Sequence, residues 1–151
     1  MKKCLLFLLA VMVMSLMAGC GGSDKFAGRW VSEPYKNMLG ESQTDVLEFK
    51  ANGDKGYVIK EYTYAYDNKT DSVELSHEDE FFANKPKEGN TVMLQGGLPV
   101  PIVYDENTKT IKTDLGGKYF RTVAFNQVKD DGDIDQMKEK ILEADRPKNK
   151  K

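Results

Sequence analysis

His77 is the sole histidine of the 151-residue chain, and Asp79 stands two residues beyond it. Side chains at i and i+2 of a strand share a face. The pair could therefore set a carboxylate-oriented imidazole near neutral pH, which is what a general base requires. A hydrolase of the Ser-His-Asp kind also needs a nucleophile on a sharp elbow, and no Gly-x-Ser-x-Gly occurs. Two acidic runs, Glu78-Asp79-Glu80 and Asp130-Asp131-Gly132-Asp133, are rich in hard oxygen donors. Strand alternation splits the first, and the second lacks the terminal Glu of a calcium loop. Zinc would have one histidine and no cysteine free to join it, and no glycine loop is built to cradle a phosphate. These residues predict a chain that is not an enzyme, with no catalytic residue, no metal ligand and no cofactor; both acidic runs read as solvated surface.

The elements that would carry them are strands. From residue 29 onward, short segments rich in Val, Ile, Tyr, Phe and Thr alternate with turn residues, at 29–33, 45–51, 57–66, 72–83, 91–95, 99–104, 110–115 and 118–125. Between them lie Asn52-Gly53-Asp54, Asp67-Asn68-Lys69, Glu88-Gly89-Asn90, Gly96-Gly97, Asp105-Glu106-Asn107 and Gly116-Gly117. Asn, Asp and Gly tolerate the positive φ of tight hairpins, so successive strands are expected to be antiparallel neighbours. Alternation places Leu47 and Phe49 on one face, and Val73, Leu75, His77, Asp79 and Phe81 on one face of their strand. Tyr62, Tyr64 and Tyr66 share a face that either lines a pocket or forms a packing ladder. Ile134, Met137, Ile141 and Leu142 then recur at helical spacing, with Asp133 as the expected N-cap and Gln136 three residues on. This amphipathic helix should lie against the outside of the sheet.

The beginning of the chain has a different pattern. Lys2 and Lys3 precede an apolar run from Leu5 to Met17, and the segment closes on Leu16-Met17-Ala18-Gly19-Cys20. A run of 13 residues is short of the roughly 20 that cross a bilayer. The segment resembles a bacterial lipoprotein signal. The resemblance implies that residues 1–19 are removed, that Cys20 carries palmitate-type acyl chains, and that residues 20–25 link this anchor to a domain held outside the cytoplasm on a cell or outer membrane. Cys4 would leave with the leader, so no disulfide could form within the mature domain. With Lys2 and Lys3 gone, 20 basic residues face 24 acidic ones, a net charge of −4 that disfavours nucleic acid as a partner.

Gly28-Arg29-Trp30 opens the first strand and Arg121 falls in the eighth. This resembles the lipocalin and lipocalin-like families, where a Gly-x-Trp begins a closed eight-stranded barrel and an arginine from near the last strand covers the indole. The resemblance implies a mainly β fold over residues 26–145, an eight-stranded antiparallel barrel followed by one C-terminal helix, with Gly28, Trp30 and Arg121 as structural residues. Residues 146–151 would form a basic, disordered tail. It further implies non-covalent binding of a small hydrophobic or amphiphilic ligand, with Phe49, Tyr62, Tyr64 and Tyr119 as the pocket candidates. The alternative is an interaction or inhibitor module that meets another envelope protein through its exterior.

Overall fold

The computed structural model describes residues 24–86, 89–96, 100–113 and 122–146. The leader, Cys20, Tyr119, Arg121 and the tail beyond Arg146 lie outside the described residues. In chain order the strands are β1 (Gly28–Ser32), β2 (Tyr35–Lys36), β3 (Ser42–Ala51), β4 (Tyr57–Asp67), β5 (Ser72–Ala83), β6 (Thr91–Gln95), β7 (Pro101–Asp105), β8 (Thr110–Thr113) and β9 (Val123–Gln127), followed by helix α1 (Asp131–Asp145). No helix among the described residues is long and apolar enough to cross a membrane.

From β3 to β9 each strand pairs antiparallel with its successor, and β1 pairs with β3 on one edge and β9 on the other. The fold is therefore mainly β: a closed, eight-stranded antiparallel barrel of β1 and β3–β9 with one C-terminal helix. β2 is a two-residue extension along β3, separated from β1 by Glu33 and Pro34. Proline has no N–H to give to a ladder, which divides one strand into two. At the β3–β4 turn, Gly56 has φ +117°, and a Cβ there would sit 2.0 Å from the Ala83 carbonyl oxygen. Only glycine permits that approach.

Strand alternation divides the apolar residues into two layers. Phe26, Trp30, Leu47, Phe49, Tyr57, Ile59, Ile102, Ile111 and Phe125 pack inside the barrel. The Trp30 indole is 1 % exposed and donates through Nε1 to the Phe26 carbonyl at 2.9 Å, while its ring packs edge-to-face with Tyr104. On the outer face, Val31, Val46, Tyr62 and Tyr64 pack with Ile134 and Met137 of α1. Lys138 lies 4.3 Å from the centre of the Tyr64 ring, a cation–π contact across this second layer.

Two local expectations are corrected. The helix starts earlier than its apolar period implies, because Asp130 is the N-cap, accepting from Gly132 N at 2.8 Å. Asp133 serves instead as the reciprocal residue of the capping box, accepting from Asp130 N at 3.5 Å, and also from Lys129 N at 2.7 Å. The acidic run 130–133 is thus spent on helix initiation, where carboxylates also oppose the positive end of the helix dipole. The second correction concerns β5. His77 pairs with Thr63, but Leu75 pairs with Tyr64, so Ser76 is an extra, bulged residue. A one-residue shift moves every following side chain to the other face. His77, Asp79 and Phe81 therefore keep the inner face, while Leu75 and Val73 join Tyr64 and Tyr66 outside.

Truncating the indole removes the largest fully buried side chain. Trp30→Ala should lower unfolding free energy by about 3–5 kcal/mol in urea titrations; a loss under about 1 kcal/mol would mean that the barrel end is not built around it.

Candidate functional site

Of the residues proposed from the sequence to line one pocket, the three that are described, Phe49, Tyr62 and Tyr64, do not converge. Phe49 is 2 % exposed inside the barrel, 5.9 Å from the Tyr57 ring and 6.1 Å from Phe26. Tyr62 and Tyr64 lie in the outer layer beneath α1. The reason is parity: Phe49 pairs with Ile59, whereas Tyr62 and Tyr64 are an odd number of residues away on β4 and so point to the other face. Gly28 begins β1 with φ +112°, and Trp30 is buried two residues later. Tyr119, Arg121 and Cys20 lie outside the described residues.

His77 and Asp79 do come together, with Nε2 and Oδ2 2.8 Å apart. Both side chains are about half exposed, at 42 % and 51 %, so water screens their field. Beside them the barrel interior turns polar. Asp45 is fully buried, paired with Thr63 across the strands, and accepts a hydrogen bond from Thr63 Oγ1 at 2.7 Å and another from the Tyr35 hydroxyl. Its own backbone N–H donates to Ser32 Oγ at 3.0 Å. Burial pushes the Asp45 carboxyl up to about 6, against the opposing pull of the Tyr35 and Thr63 hydrogen bonds and of the charge on His77. Burial, followed by the adjacent Asp45, also pushes the Tyr35 phenol well above its ordinary range. Among the described residues no group of three His, Cys, Asp or Glu is placed to hold a metal ion.

At this same end the exterior opens into a cleft of about 680 Å³. Its walls are the Leu39-Gly40-Glu41 turn, both arms of the β4–β5 hairpin (Ala65 to Asn68 and Glu74 to Ser76), and Ala144-Asp145 at the end of α1. Each wall is held by side-chain chemistry. Asn37 Oδ1 accepts from Leu39 N at 2.9 Å and Glu41 N at 3.0 Å, and Gly40 takes φ +83°. This closed turn displays Met38 and Leu39, each 83 % exposed. Asp145 accepts from Ser42 N at 2.6 Å and from Ser42 Oγ at 3.0 Å, and pairs with Lys36, pinning the helix end to the start of β3. Arg146 Nε donates to Asp71 at 3.0 Å, joining the helix end to the hairpin tip. The bulge at Ser76 turns Leu75, 48 % exposed, outward to this side.

Sequence reasoning missed this cleft. Its one legible signal was the Asn37–Glu41 turn with two large apolar residues at its tip, since an apolar side chain in a turn has no core to join. The contribution of Leu75 depends on a bulge that strict alternation hides. A second cleft, of about 620 Å³, lies beside the Gly53–Lys55 turn, with Lys55, Asn84, Lys85, Pro86 and Met93 in its walls. In comparisons with known proteins, no family model, no curated protein and no solved structure matches the chain.

The raised Asp45 value fixes the direction of a pH effect. The folded state holds this proton more tightly than the unfolded chain, whose carboxyl titrates near its ordinary 3.8. The resulting stability is complete below about pH 4 and is lost as pH rises through about 6. Measured against Asp45→Asn in urea titrations from about pH 4 to 7, the wild-type chain should lose about 2–3 kcal/mol relative to the variant. Parallel curves would show that the carboxylate is not desolvated.

Proposed function

We propose that the chain is a bacterial cell-envelope lipoprotein, anchored through acylated Cys20, that acts by non-covalent binding and not by catalysis. The ligand is a small hydrophobic or amphiphilic molecule, and its site is the cleft formed by Leu39, Leu75 and the end of α1. The observation that carries this reading is the contrast between the two ends of the barrel. Each end carries a cleft, about 620 Å³ beside the Gly53–Lys55 turn and about 680 Å³ at the other end, both within the size range of small-molecule sites, and of the two only the second has exposed large apolar side chains, Leu39 and Leu75, in its walls.

The placement of Asp24 is consistent with a tether. Asp24 accepts a hydrogen bond from the Tyr57 hydroxyl at 2.7 Å, at the barrel end where β3 finishes and β4 begins. The cleft lies at the opposite end, where β3 begins. Ten β3 residues at about 3.3 Å each separate the two by about 30 Å. A body anchored near Asp24 would hold the cleft away from the bilayer. The lipocalin-like likeness rests on Gly28 and Trp30 in a closed barrel and remains part of this proposal.

A second reading, recognition of an envelope protein, is favoured by Met38. That side chain stands 83 % exposed on a turn fixed by Asn37, and a rigid apolar projection is the kind of anchor that protein interfaces use.

Two measurements test the main reading. Cys20→Ser should abolish incorporation of labelled palmitate; unchanged labelling would contradict the anchor. Native mass spectrometry of the chain from Gly21 onward should find a lipid-sized adduct that the Leu39→Ser/Leu75→Ser double variant lacks. An adduct retained by that variant would place the ligand elsewhere.

A further inference from the structure

The charges around the cleft are unevenly compensated. Of the cations near it, Lys36 is paired with Asp145 and Arg146 with Asp71. Glu41, Asp67 and Glu74 also line the cleft, and among the described residues none of the three has an ion-pair partner. Their hydrogen bonds come from neutral groups: Asn37 Nδ2 to Glu41 at 3.1 Å, Lys69 N to Asp67 at 2.8 Å and Ser72 Oγ to Glu74 at 2.8 Å. Lys69, on the same hairpin tip, reaches Asp67 through its backbone N–H and not through its ammonium. Among the described residues, three carboxylates without an ion-pair partner thus line the same cleft as the exposed Leu39 and Leu75.

We propose that the cleft selects a cationic amphiphile, a molecule with one positively charged head and one apolar tail. This rests on the ligand-binding proposal and adds the sign of the head group. The tail would cover Leu39 and Leu75, removing apolar surface from water. The head would sit among Glu41, Asp67 and Glu74, whose like charges lower their mutual repulsion by accepting a cation. An anionic head would meet the same three carboxylates and be rejected, so a negative contribution to specificity accompanies the attractive one. Both parts of the ligand are needed. A hydrophilic cation gains nothing from the leucines, and an uncharged amphiphile leaves the carboxylates uncompensated.

Isothermal titration of the chain from Gly21 onward with dodecyltrimethylammonium, dodecyl maltoside and dodecyl sulfate, each below its micelle-forming concentration, separates these terms. Dodecyltrimethylammonium should bind once, at least about tenfold more tightly than either of the others, since Coulombic attraction to nearby carboxylates is worth about that factor. Affinity should fall about tenfold in Glu41→Gln/Asp67→Asn/Glu74→Gln and disappear in Leu39→Ser/Leu75→Ser, with thermal unfolding of both variants unchanged. Equal binding of dodecyl maltoside, lost in the leucine variant, would overturn the charge selection and leave the ligand-binding proposal intact. Equal binding of tetramethylammonium would reduce the cleft to an acidic patch and overturn the selection of an amphiphile. If no probe binds and the chain forms a dimer that Leu39→Ser dissolves, the cleft belongs to a second copy, and both the charge selection and the ligand-binding proposal beneath it fail.

Discussion

Strand β1 has five residues, yet Trp30 within it aligns with Leu47 of β3 on one edge and Gln127 of β9 on the other. That double pairing converts an open meander into a ring. An open sheet of this length would leave two edges of unpaired N–H and C=O groups, and closure satisfies them together. It also creates an inside whose volume must be filled. The indole fills one end, hydrogen-bonded to Phe26 and flanked by Tyr104, and the aliphatic side chains of β3, β4, β7 and β8 fill the space above it.

Toward the other end the interior changes by degrees from apolar to polar. Leu47 and Phe49 give way along β3 to Asp45 and Gln43, and Ile59 gives way along β4 to Glu61 and Thr63. Buried polar groups must be hydrogen-bonded to be tolerated, and no buried side-chain donor or acceptor among the described residues lacks a partner. This polar half is held together by Asp45, Thr63, Tyr35 and Ser32, and it carries the strands outward to the turn and hairpin that wall the cleft. The helix completes the arrangement. Its apolar face covers Val31, Val46, Tyr62 and Tyr64, and Asp145, placed at the helix end that the dipole disfavours, is compensated by Ser42 and Lys36. The same contacts that anchor the helix therefore position one wall of the cleft.

The architecture was legible because its causes are local. Turn residues at short intervals and period-two alternation specify hairpins, and a chain of hairpins has few ways to protect its edges. Trp30 is marked as structural by the Gly-x-Trp resemblance and not by these local causes, and it is buried inside the barrel. The site was not legible, and particular residues show why. Tyr62 and Tyr64 carry no mark that distinguishes an inner face from one covered by a helix much further along the chain. Leu75 changes face because of one extra residue at Ser76, a shift set by the register with Thr63 and not by any local pattern. The N-cap falls on Asp130 and not on Asp133 because Asp130 accepts from Gly132 N inside the first turn, while Asp133 reaches back to the N–H groups of Lys129 and Asp130. Asp45 shares the face of Leu47 and Phe49, but the Thr63 and Tyr35 hydroxyls that satisfy its buried carboxylate are brought beside it only by strand pairing. In each case tertiary register decided between readings that composition leaves equal.

If binding takes place on the outside of the open end, the filled interior is left undisturbed. Methyl-resolved NMR during titration with dodecyltrimethylammonium addresses this directly, since leucine and isoleucine methyls report both regions at once. Shifts should concentrate at Leu39 and Leu75, with Ile59, Ile102 and Ile111 unmoved. Shifts centred on those three isoleucines, with Leu39 and Leu75 silent, would contradict binding at the cleft.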